Sequence, residues 1–182
     1  MNRREFITGA GAVCVASALP NIAFGAGPNF WERPRELWIS SHIKADVHEE
    51  IKLTYWANGV YFPDACAKLN WIMRDVNEGV SGAMNKRLFD ILYASQGYFR
   101  GKGYYRPILL FSGHRTVETN ARVNGKENSR HLRSEAVDYG LEGVPAEAMG
   151  TLLKTLHAGG VGVYPNKKSV HADIGPVRSW TG

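Results

Sequence analysis

His131 and Asp138 stand seven residues apart in Ser129-Arg130-His131-Leu132-Arg133-Ser134-Glu135-Ala136-Val137-Asp138, and His171 and Asp173 stand two apart in Ser169-Val170-His171-Ala172-Asp173. Two imidazoles and two carboxylates from two segments offer the donor types of a catalytic zinc ion, which takes three protein ligands and leaves a fourth position for water. His131, Asp138 and His171 would fill three positions. Residues two apart on a strand share a face, so Asp173 is expected beside His171, within reach of the attacking water as a general base. The ordinary reading of the same residues is a set of hydrogen-bonded polar groups, or a zinc site without catalysis. His42, His48 and His157 lie outside these clusters and read as surface or core residues. Only two cysteines occur, Cys14 and Cys66, with no CxxC pair, so any metal is held by His, Asp or Glu.

Short elements must position these groups. Leu37-Trp38-Ile39 and Ile51-Lys52-Leu53-Thr54-Tyr55-Trp56 read as two strands that pair as a hairpin. Apolar residues recur at helical spacing from Pro63 to Val76 and again from Ala83 to Ser95, and the first pattern places Ala65, Cys66 and Leu69 on one stripe, so Cys66 is expected to be buried. Arg106 to Phe111 is an apolar strand running into the turn Ser112-Gly113, and Val117 to Val123 suits a short helix. Ala136 to Tyr139 reads as a strand. Pro145 to His157 reads as a helix with Pro at its start and Gly159-Gly160 at its end. Val161 to Tyr164 and Ser169 to Asp173 are the last strand candidates. Antiparallel pairing of these strands under the helices predicts an α+β domain with a small antiparallel sheet.

The 182 residues suffice for one domain with a hydrophobic core, and 44% hydrophobic with 21% charged residues excludes a disordered chain or a coiled coil. Twenty glycines and eight prolines, spread along the chain, argue against a helical bundle. A net charge of +5 favours an anionic partner such as nucleic acid, anionic lipid or cell-wall polymer. At the N-terminus, Arg3-Arg4 precedes Phe6-Ile7 and a Gly- and Ala-rich apolar run through Leu19, the layout of an export signal. The run falls well short of the roughly 20 residues that span a bilayer, so no permanent anchor is expected. Arg-Arg-x-Phe-Ile is similar to the twin-arginine signal of bacterial proteins exported in folded form. Ala23-Phe24-Gly25 supplies small residues before a cut ahead of Ala26, which makes residues 1–25 the signal peptide and 26–35 a linker or N-terminal arm.

The order of motifs resembles a known family. Ser112-Gly113-His114-Arg115-Thr116 with Thr119-Asn120 comes first, then Ser-x-His-Leu-x-x-x-Ala-x-Asp over 129–138. Gly159-Gly160-Val161-Gly162-x-Tyr164-Pro165 follows, and Val170-His171-x-Asp173-x-Gly175-x-Val177-Arg178-x-Trp180 closes the set. Together they look like the murein endopeptidase K-like branch of the zinc D-Ala-D-Ala metallopeptidases, over roughly residues 36 to 181. The resemblance implies a hedgehog/D,D-peptidase fold across 36–182. It also implies zinc on His131, Asp138 and His171, with Arg115 polarising the scissile carbonyl and Asp173 managing the proton. The implied activity is hydrolysis of peptide cross-links of peptidoglycan in cell-wall remodelling, in the periplasm after passage through the twin-arginine machinery. A D,D- or L,D-carboxypeptidase that trims stem peptides and a non-catalytic zinc-containing wall-binding module share these features. A nucleic-acid binder accounts only for the charge and has no motif here. Ser134 stands where the family pattern has Gly, and fits without strain only where φ is below zero. His114 replaces a Tyr. Lys168, Ser169 and Val170 occupy positions where the wider superfamily often carries an acidic residue or His before the last zinc ligand.

Overall fold

The computed structural model describes residues 29–182, so Cys14 and the whole of the expected signal lie outside the described residues. Asn29 caps a single 3₁₀ turn, Phe30–Glu32, that seats Trp31 in the core. Phe30 stacks on Tyr93 with 4.5 Å between ring centroids. The described part of the 26–35 segment is therefore an arm laid against the body of the fold.

The chain then forms β1 (Arg35–Ser41) and β2 (Glu50–Ala57), which pair antiparallel as the hairpin expected, and a two-residue strand β3 (Val60–Tyr61). Two helices follow, α1 (Pro63–Ile72) and α2 (Lys86–Arg100), the second begun by the Asn85 side chain, which accepts from the Arg87 N–H. Cys66 is buried on α1 and unpaired. Next come β4 (Ile108–Ser112), α3 (Val117–Arg122), β5 (Ala136–Leu141), α4 (Ala146–Thr155), β6 (Gly160–Tyr164), β7 (Ser169–Asp173) and β8 (Arg178–Thr181). No helix among the described residues is long and apolar enough to cross a membrane.

All eight strands join one sheet in the order β3-β2-β1-β4-β5-β7-β6-β8. The α+β class agrees with the sequence, but the expectation of a small antiparallel sheet is corrected: the sheet is large and mixed. β1 pairs with β4 in parallel, because the chain between them leaves the sheet through α1 and α2 before returning, and β6 pairs with β8 in parallel across the excursion through β7. Periodicity identifies strands one at a time and carries no information on which distant strand lies beside which.

The core sits on one face of the sheet. Leu37, Ile39, Ile108, Leu110, Tyr139 and Val170 are fully buried, and α2 and α4 cover the sheet with Leu88, Ile91, Leu92, Met149 and Leu153. Ser95 on α2 shares a 2.7 Å hydrogen bond with the Tyr139 hydroxyl. Gln96 accepts from the Trp38 N–H and donates to the Trp38 and Arg106 carbonyls, bridging β1 to the start of β4 where their ladder has not yet begun. These contacts fix the middle strands from below and leave the opposite face of β4, β5, β7 and β6 to carry polar groups.

Candidate metal centre and active site

Asp138 on β5 and His171 on β7 are direct cross-strand partners, and Ser112 on β4 lies opposite Asp138 on the other side. Ser112 reaches that position because β4 carries a register shift between Leu110 and Ser112. A regular strand would alternate Leu110, Phe111 and Ser112 so that Phe111 opposed Asp138, and the bulge re-aims the hydroxyl instead. His131 arrives from outside the sheet, on the single 3₁₀ turn Arg130–Arg133 just before β5.

These three candidate ligands converge. Their nearest donor atoms form a triangle: His131 Nε2 to His171 Nδ1 3.3 Å, His131 Nε2 to Asp138 Oδ1 3.3 Å, and His171 Nδ1 to Asp138 Oδ1 2.8 Å. Zinc in a tetrahedral site has bonds of about 2.0–2.1 Å, which separates neighbouring ligand atoms by roughly 3.3 Å. The donor set therefore fits a divalent ion with little rearrangement. Among the described residues this is the group of His, Asp and Glu side chains that could hold a metal ion.

Each of the three is oriented by a second hydrogen bond on its far atom. His131 Nδ1–H donates to the Gly113 carbonyl at 2.7 Å, which leaves Nε2 as the free donor atom toward the triangle. His171 Nε2–H donates to Asp173 Oδ2 at 3.1 Å, which leaves Nδ1. Asp138 Oδ2 accepts from Arg115 Nη2 at 2.6 Å, which leaves Oδ1. Such partners hold ring orientation and tautomer at metal sites.

Arg115 occupies the place expected of it, beside the triangle, with more than one task. Nε donates to Ser112 Oγ at 2.8 Å and Nη2 to Asp138, leaving Nη1 without a hydrogen-bond partner among the described residues, on the wall of the groove. The loop that carries it is fixed at both ends. Asp75 Oδ2 accepts from the Thr116 N–H and hydroxyl at 2.8 and 2.9 Å, and the Thr116 hydroxyl in turn caps α3. Gly113 passes so close to the chain at Met73 that a Cβ there would come within 2.2 Å of the Met73 carbonyl oxygen. Asp75 escaped the sequence reading because nothing in its own neighbourhood marks it as an anchor for a loop forty residues on.

Asp173 lies on the Nε2 side of His171, the ring edge turned away from the triangle, and is fully buried. Its oxygens also accept from the Gly160 and Gly175 N–H groups at 3.0 and 2.8 Å, and from Arg178 Nη2 at 2.5 Å. Burial opposes its ionisation, yet His171, Arg178 and the two backbone donors hold the carboxyl well below the usual carboxylate range. A saturated, buried and strongly acidic carboxylate is poorly suited to take a proton from water. Asp173 thus stands where it can orient the His171 ring.

The two departures from the family pattern touch each other. Ser134 Oγ and His114 Nδ1 are 3.0 Å apart, and Ser134 has φ +57°, the left-handed conformation that favours the glycine of the family pattern. Its carbonyl also accepts from the Asn85 N–H at the start of α2. Ser134→Ala and Ser134→Gly both lose the hydroxyl, but only glycine relieves the backbone. Ser134→Gly is accordingly expected to be about 1 kcal/mol more stable than Ser134→Ala in urea unfolding.

The triangle opens onto a groove of about 1070 Å³ whose walls carry Arg115, Lys126, Arg130, Arg133, Lys167 and Arg178. Its carboxylates, Asp138 and Asp173, are both committed to the centre itself, so the exposed walls are cationic.

Two imidazoles and a carboxylate lining a groove of this volume are the donor set of a metal-dependent hydrolase. Residues 32–180 match the family model described as peptidoglycan L,D-endopeptidase MepK, a branch of the M15 peptidases. The chain belongs to this peptidase family. It is 32% identical to the peptidoglycan L,D-endopeptidase MepK of Escherichia coli strain K12, an alignment covering 98% of this chain and 97% of that protein. It is 28% identical to the probable peptidoglycan L,D-endopeptidase MepK of Haemophilus influenzae, over 100% of this chain and 96% of the relative.

Proposed function

We propose that this chain is a zinc-dependent endopeptidase that hydrolyses peptide cross-links of peptidoglycan, of the L,D kind named in its relatives, and that it works in the periplasm after twin-arginine export. The observation that carries the reading is the triangle of His131 Nε2, Asp138 Oδ1 and His171 Nδ1 at tetrahedral spacing, opening into a cationic groove. Peptidoglycan stem peptides bear free carboxylates, and Lys126 and Lys167 on the groove walls can receive them.

Zinc held by His131, Asp138 and His171 would supply Lewis acidity toward the scissile carbonyl and an activated water. The chain's own groups do the remaining work. Gly113, Asp173 and Arg115 hold the three ligands in one protonation and one orientation. Arg115 Nη1, free of other partners, is directed to the carbonyl oxygen as negative charge develops there. Arg115→Ala is expected to lower kcat by about 10²- to 10³-fold, the loss typical of one such donor. Lysine is not expected to restore it, since an ammonium cannot bridge Ser112, Asp138 and the substrate at once. Steady-state kinetics on a cross-linked muropeptide checks both variants.

Digestion of purified sacculi, with resolution of the released muropeptides, tests the function. Cross-linked dimers should disappear, chelator should stop the reaction and zinc should restore it. Release of terminal amino acids alone would replace the endopeptidase with a carboxypeptidase, and intact sacculi under all conditions would overturn the reading. Residues 1–25 serve as the cleaved twin-arginine signal and 36–182 as the peptidase domain in this proposal. Changing Arg3 and Arg4 to Lys is expected to leave precursor in the cytoplasm, read by fractionation. Normal processing would refute the twin-arginine route.

A further inference from the structure

Strand β8 shows no apolar alternation, and its side chains are mostly exposed, yet two of them cross the sheet toward the metal centre. β8 lies beside β6, with Gly160 opposite Arg178 and Gly162 opposite Trp180. β6 in turn lies beside β7, with Gly162 opposite His171. The row Ser112, Asp138, His171, Gly162, Trp180 thus runs across five strands, and Gly162 is the gap in it. The Trp180 ring lies over that gap, 2.7 Å from where a Cβ on Gly162 would stand, with its centroid 5.3 Å from that of His171. Trp180 Nε1–H donates to the Tyr164 hydroxyl at 2.9 Å, which fixes the ring's angle.

Two residues along, the arrangement repeats. A Cβ on Gly160 would come within 2.4 Å of both Arg178 Nη1 and Asp173 Oδ2. Over that second gap the Arg178 guanidinium reaches Asp173 with both terminal nitrogens, Nη2 to Oδ2 at 2.5 Å and Nη1 to Oδ1 at 3.2 Å. The Arg178 guanidinium is also 5.2 Å from the Trp180 ring centroid. Each missing side chain on β6 is matched by a β8 side chain that fills its space and touches one member of the His171-Asp173 pair.

We propose that β8 belongs to the active centre: Arg178 is a positioning residue that acts through Asp173 on the His171 ring, and Trp180 is the wall against which bound peptide is held beside the centre. Arg178 pairs with both oxygens of the buried carboxylate that faces His171 Nε2, with Arg130 Nε farther off at 3.6 Å from Oδ1. Trp180 lines the groove, partly exposed, with its ring centroid 5.3 Å from that of His171. An indole face packs against a peptide backbone or aliphatic stem with large area and little conformational cost.

The inference rests on the metallopeptidase reading, and its test separates the two. Chelator-stripped protein is titrated with zinc against a chromogenic chelator, and kinetics are measured on a cross-linked muropeptide. Arg178→Gln should weaken zinc about tenfold or more and Arg178→Lys less, in the range found for groups that orient metal ligands. Trp180→Ala should leave zinc affinity unchanged and raise KM with little change in kcat, and Trp180→Phe should recover most of the loss. Gly162→Ala should reproduce Trp180→Ala, because it displaces the crossing ring without altering it, whereas Gly160→Ala meets Asp173 as well as Arg178 and should weaken zinc at least as far as Arg178→Gln. The tautomer of His171, read from imidazole ¹⁵N shifts in zinc-free protein, should change in Arg178→Gln and not in Trp180→Ala. Unchanged zinc affinity and tautomer in Arg178→Gln, or an unchanged KM in Trp180→Ala, would overturn the role of β8. Wild-type protein that binds no zinc would instead overturn the metallopeptidase reading, with the tautomer measurement still deciding the coupling of Arg178 to His171.

Discussion

His171→Ala is expected to lose both zinc and activity, with turnover on cross-linked peptide falling to background and metal analysis of the purified variant showing no stoichiometric ion. The magnitude follows from how the site is built. Three protein ligands are the most that leave an open position on a tetrahedral ion; removing one leaves two, and affinity falls by orders of magnitude. His171 also separates Asp138 from Asp173: its Nδ1 faces one carboxylate at 2.8 Å and its Nε2 the other at 3.1 Å. Alanine removes the imidazole that stands between the two carboxylates. His131→Ala should match it in metal and activity but disturb the sheet less, since His131 rides on a turn outside the strands and its far nitrogen meets only the Gly113 carbonyl. Stoichiometric zinc in the His131→Ala/His171→Ala double variant would refute the ligand assignment.

How far the site was legible in the sequence depends on whether the signal was local. His171 and Asp173 share a face because a strand alternates, and that inference needs only the two-residue spacing and the apolar neighbours. The helices were visible through their apolar spacing, although α1 ends at Ile72, short of the pattern through Val76, and α2 runs on to Arg100 beyond Ser95. What periodicity could not supply was adjacency. Asp138 and His171 are neighbours because β7 inserts between β5 and β6, and Ser112 joins them only through a bulge that no residue in Ile108–Ser112 announces. β8 carries Arg178, Ser179, Trp180 and Thr181, with no alternating apolar side, because it sits at the sheet edge. Arg178, Trp180 and Gly162 stood in the family motifs without a stated task, and Gly159-Gly160 read only as the end of a helix. Their task is visible only once β6 lies between β8 and β7.

Asp173 is where the sequence and the geometry diverge most, and its replacement is expected to have the second largest effect. In Asp173→Ala the Gly160 and Gly175 N–H groups, the His171 Nε2–H and the Arg178 guanidinium lose a common acceptor in a fully buried place. Arg178 is nearly half exposed and its charge returns to water, so the loss comes mainly from the buried N–H donors left without an acceptor, about 1–3 kcal/mol each. Chemical denaturation should show that loss, and zinc affinity should fall with it as His171 loses its orienting partner. Asp173→Asn keeps the volume and one acceptor oxygen, so it should fold better, yet its amide cannot replace both carboxylate oxygens between Arg178 and His171. A residue that served as the base would behave otherwise: Asp173→Asn would retain full zinc and lose the acidic limb of the pH–rate profile. The expected result is the reverse, weaker zinc with the acidic limb kept in zinc-saturated enzyme. The ring of His171 offers one nitrogen to the triangle and the other to Asp173, and a carboxylate bound to the second is on the wrong edge of that ring to meet a water held at the first.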